Sequence, residues 1–457
     1  MIELQRPSQE RPKARGWLAR IPKASALAFL GLLFGVAAGE LLLRLAGFVE
    51  PHLITYDSVR GWALMPGGHG WQREEGNAYV EINRQGFRGP ERSLKKPKGV
   101  FRVAILGDSF TEAQQVPYEQ TFSAVIEREL GRCPLLSGRK VEVLNLGVDS
   151  YGTAQELLTL SQQALAFSPD VVVVAVFAGN DIRNNSLDLE GDKCRPFFDN
   201  RDGTLVPVGP FMQSPTFKFS CMARFLSRYS QVLNLLGEAK SRVREALRRN
   251  AVEHAHAGHP DAGGGAAAAR AATDGASEQQ QATGAAPAKT GLSTPPPERG
   301  HHEAGLNDKI YLPVTDRTWE RAWSATEGDL NAIARGARAH GARVLVVTLS
   351  IAIQVYPDPR VPAAFAHDLG VPDLFAPERR LAAAAERDGY PELNLAPLMA
   401  EYAQTHDVFL HGFANTTLGW GHWNALGHRI GGELIAHRIC ADLRKTPPPP
   451  EGQPSKR

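Results

Sequence analysis

The sequence has few cysteines, and none of them is spaced as a metal-binding pair. It contains four cysteines in 457 residues and no C-x-x-C motif. A structural zinc site usually needs such a spacing, so the pattern argues against one. In an oxidising compartment, four cysteines allow three disulfide connectivities. One possible pairing joins Cys133 to Cys440 and Cys194 to Cys221.

An excess of charge of one sign is also absent. The chain has 51 lysines and arginines against 49 aspartates and glutamates. A strongly basic protein would indicate a nucleic acid or an anionic surface as its partner, and this balance does not. We therefore predict no nucleic-acid partner. The exception is local, because residues 1–23 carry six basic side chains directly before an apolar segment.

The apolar run that follows the basic segment is short for a bilayer. Residues 24–39 would rise about 24 Å as a helix, whereas the hydrocarbon core is about 30 Å thick. Residues 41–48 extend the run if Glu40 and Arg44, one helical turn apart, pair with each other or reach toward the far interface. The pattern is then long enough for a membrane span.

We predict a transmembrane signal anchor over residues 24–48, with the lipid bilayer as its partner. Residues 1–23 would be cytoplasmic, and everything after the anchor would be periplasmic or extracytoplasmic, which places the protein in the inner (cytoplasmic) membrane. Two alternatives stay open. One is a signal peptide cleaved at the small residues 36–38, and the other is a buried amphipathic helix.

Large apolar side chains are nearly missing from one long internal segment. Residues 251–306 are rich in Ala, Gly, Pro, Gln and His, so they cannot offset the entropy of ordering. We predict that they form a disordered insertion and that residues 446–457 form a disordered tail. The insertion divides a predicted catalytic domain into residues 100–250 and 307–445. A lead-in segment, residues 49–99, is predicted to pack on this domain.

The rest of the chain alternates short runs of Val, Ile and Leu with helical patterns. Continuous apolar runs are typical of parallel strands that are buried on both faces, so the sequence predicts a three-layer α/β/α sandwich with a parallel sheet. The predicted strands are residues 103–106, 141–146, 171–177 and 343–349, with a weaker one at 393–398. The predicted helices are residues 119–130, 153–167, 318–340 and 425–443.

A serine stands just beyond the first predicted strand. Ser109 follows Gly107 and Asp108. Because α/β folds place their ligands at the carboxyl ends of parallel strands, Ser109 is a candidate nucleophile. The structural alternative is that Asp108 or Ser109 only caps the helix that follows.

The next two predicted strands end in residues that could stabilise an oxyanion. Gly147 follows the second strand and Asn180 follows the third, and right-handed crossovers bring these strand ends together. The backbone amides of Ser109 and Gly147 and the side-chain amide of Asn180 would supply an oxyanion hole. A turn role is the alternative for the glycine and the asparagine.

A serine nucleophile also needs a base, and a histidine precedes the last predicted helix. His422 is our candidate, because an imidazole titrates near neutral pH. His428 falls inside the predicted helix, where we interpret it as a packing or capping residue.

These four residues lie in blocks that resemble those of the SGNH hydrolases, the serine esterase group also called the GDSL family. The blocks are GDSF with Ser109, LNLGVDSYG with Gly147, GND with Asn180 and GHWNALGH with His422, in family order. Residues 81–89 are similar to the NxxGFRG lead-in of the membrane-anchored bacterial subgroup. The resemblance implies a flavodoxin-like α/β/α sandwich and hydrolysis or transfer of acyl esters, often acetyl groups on carbohydrate. It implies no metal and no organic cofactor.

One position departs from the family pattern. Family members usually carry an aspartate two or three residues before the histidine, to orient the imidazole, but Trp420 and Gly419 stand there. The nearest upstream carboxylate, Asp407, is our candidate orienting acid. A backbone carbonyl, another acid, a Ser–His dyad or a loss of activity are the alternatives.

The sequence therefore predicts an exported serine esterase that acts on acyl esters, chiefly O-acetyl esters, of an envelope or extracellular carbohydrate through an acyl-serine intermediate. One alternative is a carbohydrate O-acetyltransferase that uses the same residues. Another is a noncatalytic carbohydrate-binding or assembly protein on the same fold. Trp323, Trp420 and Trp423 could offer aromatic faces to sugar rings, with packing in the core as the alternative.

Overall fold

A computed structural model describes residues 23–45, 53–227, 229, 230, 232 and 308–445. The predicted disordered insertion and tail lie outside the described residues, as does the basic N-terminus except for Lys23. The chain divides into two compact units. One consists of residues 1–50 and 226–267, and the other of residues 51–225 and 268–457.

The described part of the first unit is dominated by one helix, α1 (Lys23–Leu45). Many of its apolar side chains are exposed, among them Leu27 and Phe34. Its Glu40 carboxylate accepts hydrogen bonds from the Ser230 hydroxyl and the Val232 backbone N–H, at 3.1 and 3.3 Å. Among the described residues, no helix has the length and hydropathy required to span a membrane. The structure thus gives no support to the predicted transmembrane anchor.

The second unit begins with two antiparallel hairpins in the lead-in segment. They pair β1 (Ile54–Asp57) with β2 (Gly61–Leu64) and β3 (His69–Gln72) with β4 (Ala78–Glu81). Trp62 and Val80 from these hairpins pack in one apolar cluster with Val148 and Tyr151. The lead-in is therefore anchored beside the loop that carries Gly147.

A five-stranded parallel sheet forms the centre of this unit. Its strands are β5 (Val100–Gly107), β6 (Lys140–Asn145), β7 (Val171–Val176), β10 (Arg343–Thr348) and β11 (Glu392–Asn394), while β8 (Phe197–Arg201) and β9 (Thr204–Val208) pair separately. All residues of β5 and β7 are buried, so both faces of the sheet are covered, as the sequence predicts. The order β6-β5-β7-β10-β11 is flavodoxin-like, with its switch point between β5 and β7.

Helices cover the sheet and connect its strands. In chain order they are α2 (Ser109–Glu112), α3 (Phe122–Leu130), α4 (Thr153–Gln162), α5 (Asp181–Asn184), α6 (Pro210–Gln213), α7 (Pro215–Ser227), α8 (Arg317–Ala339), α9 (Arg360–Leu369), α10 (Ala376–Asp388), α11 (Ala396–His406) and α12 (Ala425–Lys445). Helix α3 packs on α12, and α4 packs on α8. These pairs join segments from both sides of the sequence insertion.

The weakest predicted strand is the one that the structure corrects. Only residues 392–394 form a strand, and α11 begins at Ala396 with Pro397 in its first turn. The apolar run at 393–398 therefore divides between two elements. A short apolar run does not distinguish a strand from a buried helical turn, and a proline at the start of a helix is favourable.

Two disulfides are present, and they are the two that the sequence analysis names. Cys133 bonds to Cys440, and Cys194 bonds to Cys221. The first closes a loop across 307 positions and ties α12 to the segment after α3. In a chain-entropy description, closing a loop longer than 100 residues stabilises the folded state by up to about 5 kcal/mol.

Candidate active site

Ser109 lies where the central sheet opens. Strand β5 ends at Gly107, and Ser109 is the first residue of α2. The Asp108 side chain accepts the Phe110 backbone N–H at 2.9 Å and so caps the helix. Because Asp108 performs the capping, the Ser109 hydroxyl is available for chemistry, and Ser109 is 8% exposed.

His422 joins this serine to a carboxylate. Its Nε2 lies 2.9 Å from Ser109 Oγ, and its Nδ1 lies 2.5 Å from Glu75 Oε2. A carboxylate can only accept, so Nδ1 carries the proton and Nε2 of the neutral ring accepts the serine hydroxyl. Ser109, His422 and Glu75 therefore form one hydrogen-bonded chain.

Glu75 comes from the turn between β3 and β4, which lies 347 positions before His422. The Asn415 side chain fixes this turn, because its Nδ2 donates to the carbonyls of Arg73 and Gly76 at 2.9 Å each. Its Oδ1 accepts the Gly76 backbone N–H at 3.0 Å. The hairpin turn and the loop before α12 are thus bonded directly to each other.

Gly421 gives the Glu75 carboxylate its space. Its φ is 74°, and a Cβ added there would lie 2.2 Å from Glu75 Oε1. The same oxygen accepts the His422 backbone N–H at 2.7 Å. A side chain at position 421 would displace the carboxylate from both of its contacts with His422.

The prediction for Asp407 is corrected by this geometry. Asp407 follows α11 in the left-handed region with φ 50°, and within the described ranges no hydrogen bond or ion pair joins it to His422. Glu75, and not Asp407, is the acid that bonds the His422 ring. Sequence reasoning missed Glu75 because it searched close to the histidine, whereas the fold brings the acid from the lead-in, where adjacent Glu74 looks the same.

The charge of Glu75 controls the titration of the imidazole. Burial alone would lower the pKa of His422, but its hydrogen bond to Glu75 and the charge of that carboxylate raise it. Burial would raise the pKa of Glu75, but its contacts with His422 hold the pKa below the usual range. Glu75 is therefore ionised at neutral pH and stabilises the imidazolium that forms when His422 takes a proton.

The predicted oxyanion donors all lie against the residues around Ser109. The Asn180 side-chain amide donates to Asp108 Oδ2 at 3.2 Å, which leaves its second N–H for another acceptor. A Cβ at Gly147 would lie 2.4 Å from the Glu112 backbone N, so only glycine allows this loop to approach α2 so closely. The Gly147 N–H also donates to Asn145 Oδ1 at 3.1 Å. The Ser109 N–H is at a helix start, where amides have no intrahelical acceptor.

A second histidine holds the loop that carries His422. His411 is buried, and its Nδ1 lies 2.7 Å from the Gly421 carbonyl oxygen, so Nδ1 carries the proton. Its Nε2 accepts the Ser350 hydroxyl at 3.1 Å, and Ser350 Oγ accepts Trp423 Nε1–H at 2.9 Å. Burial lowers the pKa of His411 to about 4. The ring is therefore neutral at neutral pH, with Nδ1 as the donor to Gly421 and Nε2 as the acceptor from Ser350.

The GFRG block of the lead-in supports the other side of the site. The buried Arg88 guanidinium donates to the backbone carbonyls of Glu112, Ala113 and Val116. Glu112 is the last residue of α2 and the other two carbonyls follow it, where the end of a helix leaves acceptors without intrahelical donors. Burial lowers the pKa of Arg88 to about 10, which keeps it charged at neutral pH. The motif therefore has a structural role beneath the serine.

Several buried carboxyl groups lie behind the serine. Burial raises the pKa values of Glu156 and Asp181 well above normal, raises that of Asp329 to about 8 and raises that of Asp108 to about 6. Both carboxyl oxygens of Glu156 lack a hydrogen-bond partner among the described residues. Raised pKa values favour the neutral form of these carboxyls, which reduces the negative charge behind the serine.

The remaining candidates from the sequence are packing residues or lie at the edge of the site. His428 is buried, and its Nδ1 accepts the Phe122 backbone N–H at 3.4 Å, in agreement with the packing interpretation. Trp323 and Trp423 are 1% and 0% exposed, so they offer no face to a sugar. Trp420 is half-buried.

The fold and the site together have the geometry of a serine acyl-transfer centre. A serine at a strand end is bonded to a histidine and the histidine to a carboxylate, and the Asn180 amide bonds Asp108, the residue beside the serine. No family model matches the sequence, and no curated protein is significantly similar to it.

Among solved structures, the chain is similar to a lipase/acylhydrolase from Enterococcus faecalis, with 12% identity, 75% of this chain and 96% of the other covered, and a TM-score of 0.33. It is also similar to the acetyl xylan esterase AlAXEase, with 10% identity, 75% of this chain and 100% of the other covered, and a TM-score of 0.33. A third similar structure is a catalytic mutant of the acetylxylan esterase Axe2 from Geobacillus stearothermophilus. Its identity is 11%, 76% of this chain and 95% of the other are covered, and the TM-score is 0.33. Likenesses of this size establish neither the fold nor the activity of this chain.

Proposed function

We propose that this protein is a serine esterase of the SGNH type that hydrolyses acyl esters, chiefly O-acetyl esters, of carbohydrate. One observation carries the proposal: Ser109 Oγ, the His422 ring and the Glu75 carboxylate form a continuous hydrogen-bonded chain at the switch point of the sheet. The resemblance of the four sequence blocks to the SGNH family also supports it.

In the proposed reaction, Ser109 Oγ attacks the ester carbonyl carbon while His422 Nε2 takes the hydroxyl proton. The carbonyl oxygen becomes negative and is stabilised by the Ser109 N–H and the second N–H of the Asn180 side chain. The Gly147 N–H joins them only if it shares or leaves its bond to Asn145 Oδ1. The bond to the sugar oxygen then breaks, and His422 returns its proton to that oxygen. Water attacks the acyl-serine in the second half, loses its proton to His422 and releases the acid, after which the proton returns to Ser109.

A transferase would share the first half of this sequence and use a sugar hydroxyl in place of water. Ser109 and His422 serve both reactions, so the site supports hydrolysis and transfer equally. A noncatalytic carbohydrate-binding or assembly protein is the remaining alternative from the sequence. The complete Ser–His–Glu chain favours catalysis, because the missing acid was the reason to consider a lost activity.

The test is covalent labelling with a fluorophosphonate, together with hydrolysis of 4-nitrophenyl acetate. We expect labelling and turnover in the intact protein, and loss of both in Ser109→Ala while circular dichroism is unchanged. Folded wild-type protein that neither labels nor hydrolyses the ester would overturn the enzyme proposal. Release of free acetate, or its appearance on an added sugar, would separate hydrolysis from transfer.

We also propose that the folded part of the chain is exported. The two disulfides support this, because such bonds persist in oxidising compartments and are rare in the cytosol. The inner-membrane location stays a prediction from the sequence. A fusion of alkaline phosphatase to the C-terminus would test export: an active reporter supports it, and an inactive reporter on a stable fusion contradicts it.

A further inference from the structure

The β3–β4 hairpin has one buried and one exposed face, and the exposed face is aromatic. Gly70, Ala78 and Val80 are buried. Trp71 and Tyr79, on the opposite face, are 51% and 43% exposed. Strands alternate their side chains between two faces, so the two large rings point away from the core.

The exposed rings form an ordered row. Trp71 and Tyr79 are directly opposite each other in the strand register, with ring centroids 5.5 Å apart. The His69 ring centroid lies 6.1 Å from that of Tyr79, and the Arg73 guanidinium lies 5.0 Å from the centre of the Trp71 ring. We call these four residues the aromatic face. Neighbouring rings and the cation restrict the motion of Trp71, so a ligand would meet a preformed surface.

The aromatic face belongs to the same hairpin as the acid of the candidate site. Glu75 is four residues from Trp71 and four from Tyr79. Four residues of extended chain span at most about 14 Å, so the Cα atoms of Trp71 and Tyr79 lie within that distance of the Glu75 Cα. The three hydrogen bonds of Asn415 hold the turn in place. The aromatic face and the catalytic acid are therefore carried by one fixed hairpin.

The size and composition of the aromatic face favour a saccharide over a macromolecular surface. Two half-exposed rings offer about 200 Å², whereas a stable protein interface takes about 800 Å² from each partner. His69, Arg73 and Glu81 place polar and charged groups among the rings, which suits a ligand that has both apolar C–H faces and hydroxyls. A lipid surface would leave these charged groups without water.

We propose that the aromatic face binds the saccharide part of the ester substrate, with sugar rings packed on Trp71 and Tyr79 and hydroxyls bonded to the polar groups around them. The inference rests on the proposed esterase function, since it deepens the description of the same site. It places the specificity for carbohydrate in the lead-in, on the hairpin that carries the acid, and not at Trp323, Trp420 or Trp423.

The test compares a small ester with acetylated sugars. The variants are Trp71→Ala and Tyr79→Ala, and Phe219→Ala is a matched control because Phe219 is an exposed ring on α7, 65% exposed. Substrates are 4-nitrophenyl acetate and O-acetylated xylo-, manno- and chito-oligosaccharides. We expect kcat/KM for the best oligosaccharide to fall about tenfold or more in the two hairpin variants, through KM, with no change on the small ester. The control should match wild type on both.

Equal activity of Trp71→Ala and wild type on every oligosaccharide would overturn the proposal, as would an equal loss on both substrate types. A dimer in sedimentation that only the hairpin variants lose would assign the face to contact between copies and would also overturn it. If the wild type hydrolyses neither substrate, the proposed function fails separately. Calorimetric titration of the Ser109→Ala protein with the same sugars, with and without Trp71→Ala, then decides the binding proposal.

Discussion

Two segments far apart in the chain hold His422, and they do so in different ways. The loop of residues 410–424 carries the histidine and supplies much of its own frame, since Gly412 N–H donates to the His422 carbonyl at 3.0 Å and His411 holds Gly421. The lead-in hairpin supplies the negative charge through Glu75. The first segment positions the backbone of the histidine, and the second orients its ring and raises its proton affinity.

This difference shows that an orienting acid need not be close in sequence to its histidine. The loop can be recognised from a local block, because His422 lies inside that block and just ahead of the last helix. The hairpin's acid can be recognised only after folding, because its role depends on a contact with His422 across the chain. Substitutions in each segment should therefore have different consequences for rate and for pH dependence.

The largest effect is expected from the hairpin. Glu75→Gln should lower kcat/KM on 4-nitrophenyl acetate by about 10²- to 10⁴-fold, since the imidazolium loses its charge partner. The acidic limb of the pH–rate profile should move to lower pH, because Glu75 raises the pKa of His422 and the amide does not. Asp407→Asn is the matched control, because asparagine tolerates the left-handed conformation at that position. Equal kinetics of the two variants would contradict the assignment of the acid.

A smaller effect is expected from the loop. His411→Leu removes the donor to the Gly421 carbonyl and the acceptor of the Ser350 hydroxyl, so kcat/KM should fall about 10- to 100-fold. His411→Asn can still donate from a similar position and should retain most of the activity. The acidic limb should stay near that of wild type in both variants, in contrast to Glu75→Gln. The rate of fluorophosphonate labelling, normalised to folded protein, is the measurement.

That comparison would fail if the leucine and asparagine variants lost activity equally. A shift of the acidic limb in His411→Leu as large as that in Glu75→Gln would also remove the distinction between the two segments. Thermal unfolding of each variant serves as the control for the fraction of folded protein.

The smallest effect on activity is expected at Asp329, which belongs to neither segment. Burial raises its pKa to about 8, and Thr153 hydrogen-bonds one oxygen at 3.0 Å. An acid with a raised folded pKa contributes full stability below its unfolded pKa, near 4, and loses it as pH rises through about 8. Asp329→Asn should therefore be more stable than wild type at pH 8.5 by about 1–3 kcal/mol, with little difference at pH 4 and unchanged kcat.

Urea unfolding at the two pH values measures this difference. Parallel pH dependence of the free energy of unfolding in wild type and Asp329→Asn would show that Asp329 is not protonated in the folded protein at neutral pH. Glu156 and Asp181 carry raised pKa values of the same cause, so the variant should flatten the pH dependence only in part.

The sequence predicts the sheet and the four block residues because both depend on local patterns. Strands such as β7 are continuous apolar runs, and Ser109, Gly147, Asn180 and His422 each follow or precede a recognisable element. Glu75 could not be predicted, since only the fold distinguishes it from Glu74. The boundary inside the segment at 393–398 is hidden for a similar reason: its first two residues pair with β10 and the chain enters α11 at Ala396, and a short apolar run contains no signal for that change.

The Cys133–Cys440 bridge has a consequence for the integrity of the molecule. It joins a residue ahead of the insertion to one in the last helix. A protease that cuts between residues 251 and 306 would leave Ser109 and Glu75 on one fragment and His422 on the other, yet the two fragments would remain covalently joined. Nicked protein would migrate as a single species on a gel until a reductant separates it, and the catalytic groups would depend on that sulfur link to stay one molecule.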